Sequence, residues 1–304
     1  MAALAGSQAP PVATFGLSKR YGRVRALSDV TLEVRNGEVF GFLGLNGAGK
    51  TTTMRLILDL IRATAGSASI FGHDSRHDSL AARRLVGYLP GDPSFFPDMT
   101  GARVLSLLER VGAAPVRKEW REELLERLDL PWRDLSRRIR DYSTGMKRKL
   151  GIVQAMQHDP PLLILDEPTE SLDPLMQERL YELLAEVTAR GRTVFLSSHV
   201  LSEVERICGR VALLREGRLV LVSPVEELRA LAPRRVTVRF ARDVPTAPPK
   251  LPEVTVLAAR PRAWELELRG PMGPLVARLP AADVSDLEVH EARLEDIVLR
   301  YYRG

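Results

Sequence analysis

A glycine-rich loop between a strand-like and a helix-like stretch constrains the fold most strongly. The apolar run EVFGFL leads into GLNGAGKT at residues 44–51, which fits GxxxxGKT, and then into TTTMRLILDLI, which has helical apolar spacing. Glycines let backbone amides approach phosphate oxygens, and a helix N-terminus adds partial positive charge. The pattern predicts a phosphate-binding loop made by Gly44, Leu45, Asn46, Gly47, Ala48, Gly49, Lys50, Thr51 and Thr52.

Two further motifs end in side chains suited to phosphate chemistry. The run LLILDEP places Asp166 and Glu167 at the end of a strand, and TVFLSS is followed by His199. Carboxyl ends of parallel strands are where ligands bind, so Asp166 and Thr51 are the predicted magnesium ligands. We predict Lys50, Glu167 and His199 as catalytic residues, with Lys50 on the β- and γ-phosphates. Taken alone, DEP could be a surface turn and a single histidine a packed or solvated residue.

The order of elements predicts an α/β fold. Strand-like runs alternate with helices from EVFGFL through PLLILDE to RTVFLSSH, which favours a mostly parallel sheet built by right-handed crossovers. Turn-rich alternating runs from Thr14 to Leu43 predict an antiparallel β subdomain. Residues 97–158 have helical spacing, with Thr100 as an N-cap, and predict a helical subdomain. The stretch RVALLREGRLVLVS predicts a hairpin that turns at Glu216 and Gly217.

The pattern changes after Pro233. A short helix is predicted in SPVEELRALAP, and the strings RVTVRF, EVTVLAA and WELELRG then alternate apolar and polar residues, as strands with one solvated face do. TAPPKLP and GPMGP are predicted loops, and LEDIVLRYY a closing helix. We therefore expect a flexible N-terminus at 1–13, a nucleotide-binding domain at 14–233 and a small α+β accessory domain at 234–304.

Composition narrows the cellular setting. The 304 residues carry a formal net charge of +5 and a pI of about 9.5, which permits contact with nucleic acid, an anionic membrane or phosphate. One cysteine, Cys208, excludes an internal disulfide and favours a reducing cytosol. The N-terminus lacks the features of a signal peptide, and no stretch reaches the roughly 18 apolar residues of a spanning helix. Any membrane contact is expected to come through a partner.

In this order, the motifs resemble the ATP-binding-cassette (ABC) family, the ATPase subunits of membrane transporters. The similarity covers about residues 14–233. It implies that Tyr21, in KRYGRVRAL, stacks on adenine, that Asp166 coordinates magnesium, that Glu167 is the catalytic glutamate and that His199 is the switch histidine. It also implies ATP and Mg²⁺ as ligands, a second ATPase subunit, an integral membrane transport subunit and a cytoplasmic location on the inner face of the membrane.

The stretch DYSTGMKRKL has a place in this resemblance. Residues 142–146 occupy the position of the family's LSGGQ sequence, which contacts the γ-phosphate bound to the other subunit. The resemblance implies that Ser143 and Gly145 are nucleotide-binding residues that act on a partner's ATP. Thr144 and Met146 depart from the pattern, and we expect altered packing rather than loss of function. From these ten residues alone, an ordinary helix N-cap explains the stretch equally well.

A second departure lies in GYLPGDPSF. Gly91 stands where the family usually has a glutamine that contacts the metal or the attacking water. We hypothesise that Asp92 or a backbone group substitutes for it. The segment from Arg234 onward is similar to the C-terminal extension of daunorubicin-resistance-type export ATPases, and a purely structural role for it is equally consistent with the sequence.

Three functions fit these observations. We predict an ATP-hydrolysing subunit that dimerises around two ATP molecules and powers a membrane exporter, with no nucleic-acid partner. A cassette ATPase acting on nucleic acid or the ribosome is the alternative, and the basic pI is its support. A regulatory nucleotide-binding subunit with little turnover would follow if Gly91 had disabled the site.

Overall fold

The chain divides into two compact units, Met1–Ser223 and Pro224–Gly304. The computed structural model describes residues 9–112, 114–231, 233–244, 248, 250–279 and 284–290. Most of the predicted N-terminal segment 1–13 and the whole predicted helix LEDIVLRYY lie outside these ranges. The sequence predicts a domain boundary at 233, whereas the second unit begins at Pro224 and includes the helix before that position.

A four-stranded antiparallel sheet forms one layer of the first unit. Its strands are β1 (Val12–Tyr21), β2 (Val24–Val34), β4 (Ala65–Ile70) and β5 (His73–Asp74), in the order β2-β1-β4-β5. β1 and β2 form a hairpin whose last pair is Tyr21 and Val24. Gly22 lies in the two-residue turn with φ of 57°, a left-handed conformation that glycine adopts without a steric penalty.

A six-stranded sheet forms the core of the same unit. Its strands are β3 (Val39–Leu43), β6 (Val86–Leu89), β7 (Leu162–Asp166), β8 (Thr193–Ser198), β9 (Arg210–Arg215) and β10 (Arg218–Pro224), in the order β10-β9-β3-β8-β7-β6. The neighbours from β9 to β6 are parallel. Every residue of β3, β7 and β8 is buried, as expected for strands covered on both faces. The hairpin between β9 and β10 turns at Glu216 and Gly217, as predicted, and both have positive φ.

The described part of the first unit contains eight α-helices. They are α1 (Lys50–Ile57), α2 (Ser79–Arg84), α3 (Gly101–Val111), α4 (Lys118–Arg127), α5 (Trp132–Leu135), α6 (Thr144–Met156), α7 (Pro174–Ala189) and α8 (Leu201–Ile207). Of these, α3, α6 and α7 have a side chain that caps the N-terminus. Thr100 caps α3 by accepting a hydrogen bond from the Arg103 amide, as predicted. Helices α3 to α6 lie in the range where the sequence predicts a helical subdomain. Trp120 of α4 anchors α6 by donating to the Met156 carbonyl over 2.9 Å.

Helix α1 is shorter than the sequence pattern predicts. It ends at Ile57, although apolar spacing continues to Ile61. Asp59 adopts φ of 53°, and the amides of Asp59 and Leu60 donate to the carbonyls of Leu56 and Arg55. These bonds form a Schellman-type ending, and aspartate is one of the few residues other than glycine that often adopt its left-handed conformation.

The second unit contains an antiparallel sheet. Its elements are α9 (Val225–Leu231), β11 (Arg234–Phe240), β12 (Val254–Arg260), β13 (Ala263–Leu268), α10 (Gly273–Val276) and β14 (Val284–His290), and the strand order is β12-β13-β11-β14. The three predicted strands are confirmed. β14 was not predicted, and part of the predicted loop GPMGP starts α10. Phe240 and Trp264 pack edge to face with ring centroids 4.7 Å apart at the centre of this unit's core.

Candidate active site

The predicted phosphate loop connects β3 to α1. Gly47 and Gly49 have φ of 81° and 109°, and a Cβ on Gly49 would lie 2.7 Å from the Ala26 carbonyl oxygen. Both positions therefore require glycine. Lys50 is buried, and its ammonium group donates to the Gly44 carbonyl over 2.6 Å. The side chain thus folds back over the loop with its charge at the loop's inner face.

A cleft of about 370 Å³ lies beside this loop. Seven of the nine predicted loop residues line it, namely Leu45, Asn46, Gly47, Gly49, Lys50, Thr51 and Thr52, together with Ala26, Gly91, Glu167 and Glu170. Gly44 and Ala48 complete the loop without lining the cleft: the Gly44 carbonyl accepts from Lys50, and the Ala48 carbonyl accepts from the Gly217 amide. The loop is therefore held from both the helix and the β9–β10 hairpin.

Asp166 lies at the carboxyl end of β7 and is fully buried. Its Oδ2 accepts a hydrogen bond from the Thr51 hydroxyl over 2.7 Å, and its Oδ1 accepts from the Ser197 hydroxyl over 2.5 Å. The carboxylate is therefore fixed between the start of α1 and β8. The two predicted metal ligands are in direct contact. Ser197, which orients one of them, was not predicted from the sequence.

Glu167 connects the predicted catalytic residues. Its Oε1 lies 3.1 Å from the Lys50 ammonium, and its Oε2 lies 2.8 Å from Nδ1 of His199. A carboxylate only accepts hydrogen bonds, so this contact assigns the proton to Nδ1 of His199. The Glu167 amide also donates to the Ser197 hydroxyl over 3.0 Å, with Glu167 at φ of 50°. The structure brings Lys50, Glu167 and His199 together at one edge of the sheet. This edge, which also carries Thr51 and Asp166, is the catalytic edge.

Three predicted nucleotide-binding residues lie apart from this edge. Tyr21 ends β1 half-exposed, with the Lys19 ammonium 4.9 Å from its ring centroid. Ser143 is an exposed N-cap that accepts from the Met146 amide over 3.2 Å. Gly145 lies next to Ser171, because a Cβ on it would be 3.0 Å from the Ser171 carbonyl oxygen. None of the three is among the described residues that line the cleft.

Arg148 is a buried residue beside the cleft that the sequence pattern does not predict. Its side chain is 3% exposed, and it donates to the carbonyls of Pro90 and Gly91 over 3.2 and 2.6 Å. Helical phase could have identified it, because Arg148 shares one face of α6 with buried Gly151, Ile152 and Ala155. Its flanking cations, Lys147 and Lys149, are at other angles on the helix and hide this signal in the run KRK.

The hypothesis about Asp92 is not supported. Asp92 is exposed and is not among the described residues that line the cleft. Glu170 lines the cleft instead, and the Gly91 backbone faces Asp166, since a Cβ there would lie 3.1 Å from Oδ2. Of the two substitutes for the glutamine in that hypothesis, a backbone group at Gly91 is the one that lies beside Asp166.

Comparison with known proteins decides the family. A family model described as ABC transporter matches residues 27–170. The bacitracin transport ATP-binding protein BcrA of Bacillus licheniformis is 35% identical over 219 residues, which cover 72% of this chain and 71% of that protein. The chain belongs to the ABC transporter family.

Two other relatives agree with this family. The daunorubicin resistance ATP-binding protein DrrA3 of Streptomyces coeruleorubidus is 36% identical over 71% of this chain and 68% of its own length. An uncharacterized ABC transporter ATP-binding protein of Nostoc sp. is 39% identical over 68% of this chain. This match spans 62% of the Nostoc protein, less than two thirds of its length.

Solved structures confirm the P-loop cassette fold. A structure described as the ATP binding subunit of an ABC transporter has a TM-score of 0.66 and 34% identity, over 72% of this chain and 91% of that one. The dimeric post-hydrolysis structure of the cassette MJ0796, bound to ADP and Pi, has a TM-score of 0.64 over 70% of this chain and 98% of that one. Its 23% identity supports the fold alone.

This ABC ATPase subunit binds and hydrolyses ATP, as members of its family do. The matched family is that of ABC transporters, which supports the transporter class over the nucleic-acid alternative. In the part of the chain that the structure describes, no helix has both the length and the apolar character needed to cross a membrane.

Proposed function

We propose that two copies of this chain close head to tail around two ATP molecules, and that closure drives export through a membrane partner. The proposal rests on the separation of the predicted site residues into two groups. Beside the cleft, Glu167 contacts both Lys50 and His199. The cleft is not lined by Ser143 or Gly145. An exposed serine, a glycine and the amides of a helix N-terminus suit a phosphate. A second chain that supplies them would complete the site.

The triphosphate is bound mainly by the loop from Gly44 to Thr52. Its glycines leave the backbone amides accessible, and the N-terminus of α1 adds partial positive charge. In the present arrangement the Lys50 ammonium contacts Glu167 over 3.1 Å. Phosphate oxygens compete for that ammonium, so ATP binding releases Oε1 of Glu167.

The donor set at Thr51 and Asp166 fits Mg²⁺. It consists of oxygen atoms, which Mg²⁺ prefers, and the two lie 2.7 Å apart. Within the described ranges, no group of three or more His, Cys, Asp or Glu side chains could hold a metal ion, and phosphate and water oxygens would supply further ligands in this proposal. Bound Mg²⁺ neutralises negative charge on the phosphates.

Hydrolysis is assigned to Glu167. Once released from Lys50, its Oε1 can orient a water molecule toward the γ-phosphorus and accept a proton from it, while His199 holds Oε2. The bond from the γ-phosphorus to the bridging oxygen breaks, leaving ADP and phosphate. Loss of the γ-phosphate removes the ligand shared by the two chains, and the dimer opens.

A membrane partner is proposed to dock in an apolar groove of about 410 Å³. The groove is lined by residues that precede or belong to the helical region, including Leu60, Tyr88, Pro90, Phe95, Phe96 and Leu107. Phe96 is 65% exposed, and contiguous exposed apolar surface of this kind marks interaction sites. Pro90 precedes Gly91, which lines the nucleotide cleft, so the groove and the cleft share one short loop. The occupant we propose is a short apolar segment on the cytoplasmic side of the membrane subunit.

Replacing Phe96 with aspartate tests this docking site. We expect copurification with the membrane subunit to fall by about tenfold or more, because a charge is placed in an apolar contact. Phe15→Asp is the matched control, since Phe15 is similarly exposed, at 61%, but lies on β1 of the antiparallel sheet. Equal loss in both variants, or none in Phe96→Asp, would show that the groove is not the contact.

The names of two relatives refer to transport and to drug resistance, and export of a compound would account for both. BcrA is a bacitracin transport ATP-binding protein, and DrrA3 is a daunorubicin resistance ATP-binding protein. We infer that this chain energises export of an antibiotic-like compound, which the membrane subunit contacts. The cassette then lies on the cytoplasmic face of the cell membrane, held there by that subunit.

The variant Glu167→Gln tests the proposed function. Glutamine keeps the shape of the side chain but cannot accept the proton, so we expect ATP to remain bound while hydrolysis falls by about 100-fold or more. Light scattering should show an ATP-dependent doubling of the 33.8 kDa mass. Glu182→Gln, on the exposed face of α7, is the matched control. Hydrolysis by Glu167→Gln at a rate comparable to wild type would refute the assignment.

A further inference from the structure

Arg148 lies inside the helical region, and its location is unusual for a charged residue. It belongs to α6, the helix capped by Ser143, and is 3% exposed. Charged side chains are rarely buried this deeply unless they are paired, because removing a charge from water is costly. Its contacts therefore show what the buried charge does.

One guanidinium group joins three segments. Nη1 donates to the carbonyls of Pro90 and Asp166 over 3.2 and 3.4 Å. Nη2 donates to the Gly91 carbonyl over 2.6 Å and contacts a carboxylate oxygen of Glu170 at 3.3 Å. Arg148 thus ties α6 to the loop after β6 and to the carboxyl end of β7. The rigid fork of a guanidinium suits such a junction, because it donates in several fixed directions.

The electrostatic setting is consistent with a retained charge. Burial lowers the pKa of Arg148, and nearby carboxylates, Glu170 first among them, oppose this shift. Nε has no hydrogen-bond partner among the described residues, so the buried group is not fully satisfied. A side chain that served packing alone would be apolar here, since the same face of α6 carries Gly151 and Ile152.

Gly91 gives the loop no side chain at this point of the junction. A Cβ there would lie 3.1 Å from Oδ2 of Asp166. At position 91 the loop therefore meets the catalytic edge through its backbone. Arg148 holds two consecutive carbonyls of that loop, at Pro90 and Gly91.

We propose that Arg148 is a positioning residue that links the start of α6 to the catalytic edge through the Gly91 backbone and Glu170. When the partner's ATP binds at Ser143, α6 moves as a unit and Arg148 carries the Gly91 loop and the end of β7 with it. Since Pro90 also lines the proposed docking groove, the same link reaches the membrane partner. This inference rests on the shared site proposed above.

Steady-state kinetics of substitutions at position 148 test the link. We expect Arg148→Met to lower kcat about tenfold or more, because small misplacements of catalytic groups are costly, while the Kd for ATP changes less than about threefold. Arg148→Lys should retain an intermediate rate, because an ammonium cannot donate along all these directions. Lys149→Met is the matched control: it removes a neighbouring charge whose partner is Asp129, and we expect its kcat within about twofold of wild type.

A double-mutant cycle separates this role from a structural one. If Arg148 transmits the effect of phosphate binding at Ser143, the double variant Arg148→Met, Ser143→Asp should lower kcat no more than the more damaging single variant. If the two losses multiply, or if Arg148→Met has the kcat of wild type, the inference is wrong. If Arg148→Met does not fold, Arg148→Lys or Glu170→Gln takes its place in the cycle with Ser143→Asp. Failure of the proposed function would be seen separately, as a wild-type rate of ATP hydrolysis in Glu167→Gln.

Discussion

The catalytic edge and the start of α6 differ in how complete they are within one chain. At the edge, Thr51, Asp166, Glu167 and His199 are already bonded to one another or to Lys50. At the start of α6, Ser143 is exposed, and its side chain accepts a hydrogen bond only from its own helix among the described contacts. Folding of one chain assembles the catalytic edge. The start of α6 has groups that suit a phosphate, but they do not line the cleft of the same chain. This difference supports the proposal that the active site is divided between two molecules.

The difference has a physical origin. The edge is formed where parallel strands end next to each other, so folding of one sheet is enough to assemble it. A helix N-terminus can bind an anion only where that anion is presented to it. Variants at the two regions should therefore fail in different ways.

The largest effect is expected at the edge. Replacing Asp166 with asparagine removes the charge of a buried carboxylate that contacts Thr51 and Ser197. We expect hydrolysis to fall by about 100-fold or more, and Mg²⁺ to lose its effect on ATP affinity. ATPase rates and ATP titrations with and without Mg²⁺ measure both.

The matched control lies near the opposite end of the same strand. Asp159 precedes β7 and pairs with Arg192, and its φ of 51° is one that asparagine also accepts. Asp159→Asn should hydrolyse ATP within about twofold of the wild-type rate. Mg²⁺ dependence that is unchanged in Asp166→Asn would contradict the assignment of the metal ligand.

A smaller effect is expected where the edge meets the Gly91 loop. The Cβ of Gly91→Ala would lie 3.1 Å from Oδ2 of Asp166, which is closer than such contacts usually are. We expect kcat to fall about three- to tenfold through a slight displacement of this carboxylate, with KM for ATP nearly unchanged. Gly209→Ala is the control, because its Cβ would meet no atom within 4 Å. Equal kinetics for the two variants would show that the Gly91 backbone does not constrain Asp166.

Much of the catalytic edge could be predicted from sequence, because local geometry determines it. The spacing of Gly44, Gly49 and Lys50 reflects one loop conformation, and the strand ends that carry Asp166 and His199 meet in any parallel sheet. Contacts that depend on packing could not be predicted in this way. Arg148 is one of three consecutive cations, and only the packed helix identifies the one that faces inward.

The second unit shows the same limit. β11, β12 and β13 alternate apolar and polar residues and were predicted, whereas β14 was not. Its apolar residues Val284 and Leu287 are out of alternation, and the pairing register with β11 shifts between Arg239 and Phe240. An irregularity of this kind removes the period of two on which strand prediction depends.

The mass of the ATP-bound protein tests the divided site most directly. In the Glu167→Gln background, Ser143→Asp keeps an N-cap for α6 but puts a carboxylate where the partner's γ-phosphate would bind. Thr100→Asp makes the same change at the cap of α3 and is the control. We predict that Ser143→Asp binds ATP but stays at 33.8 kDa, while the parent and the control double in mass. An ATP-dependent dimer of Ser143→Asp, formed as readily as that of the parent, would contradict the shared site.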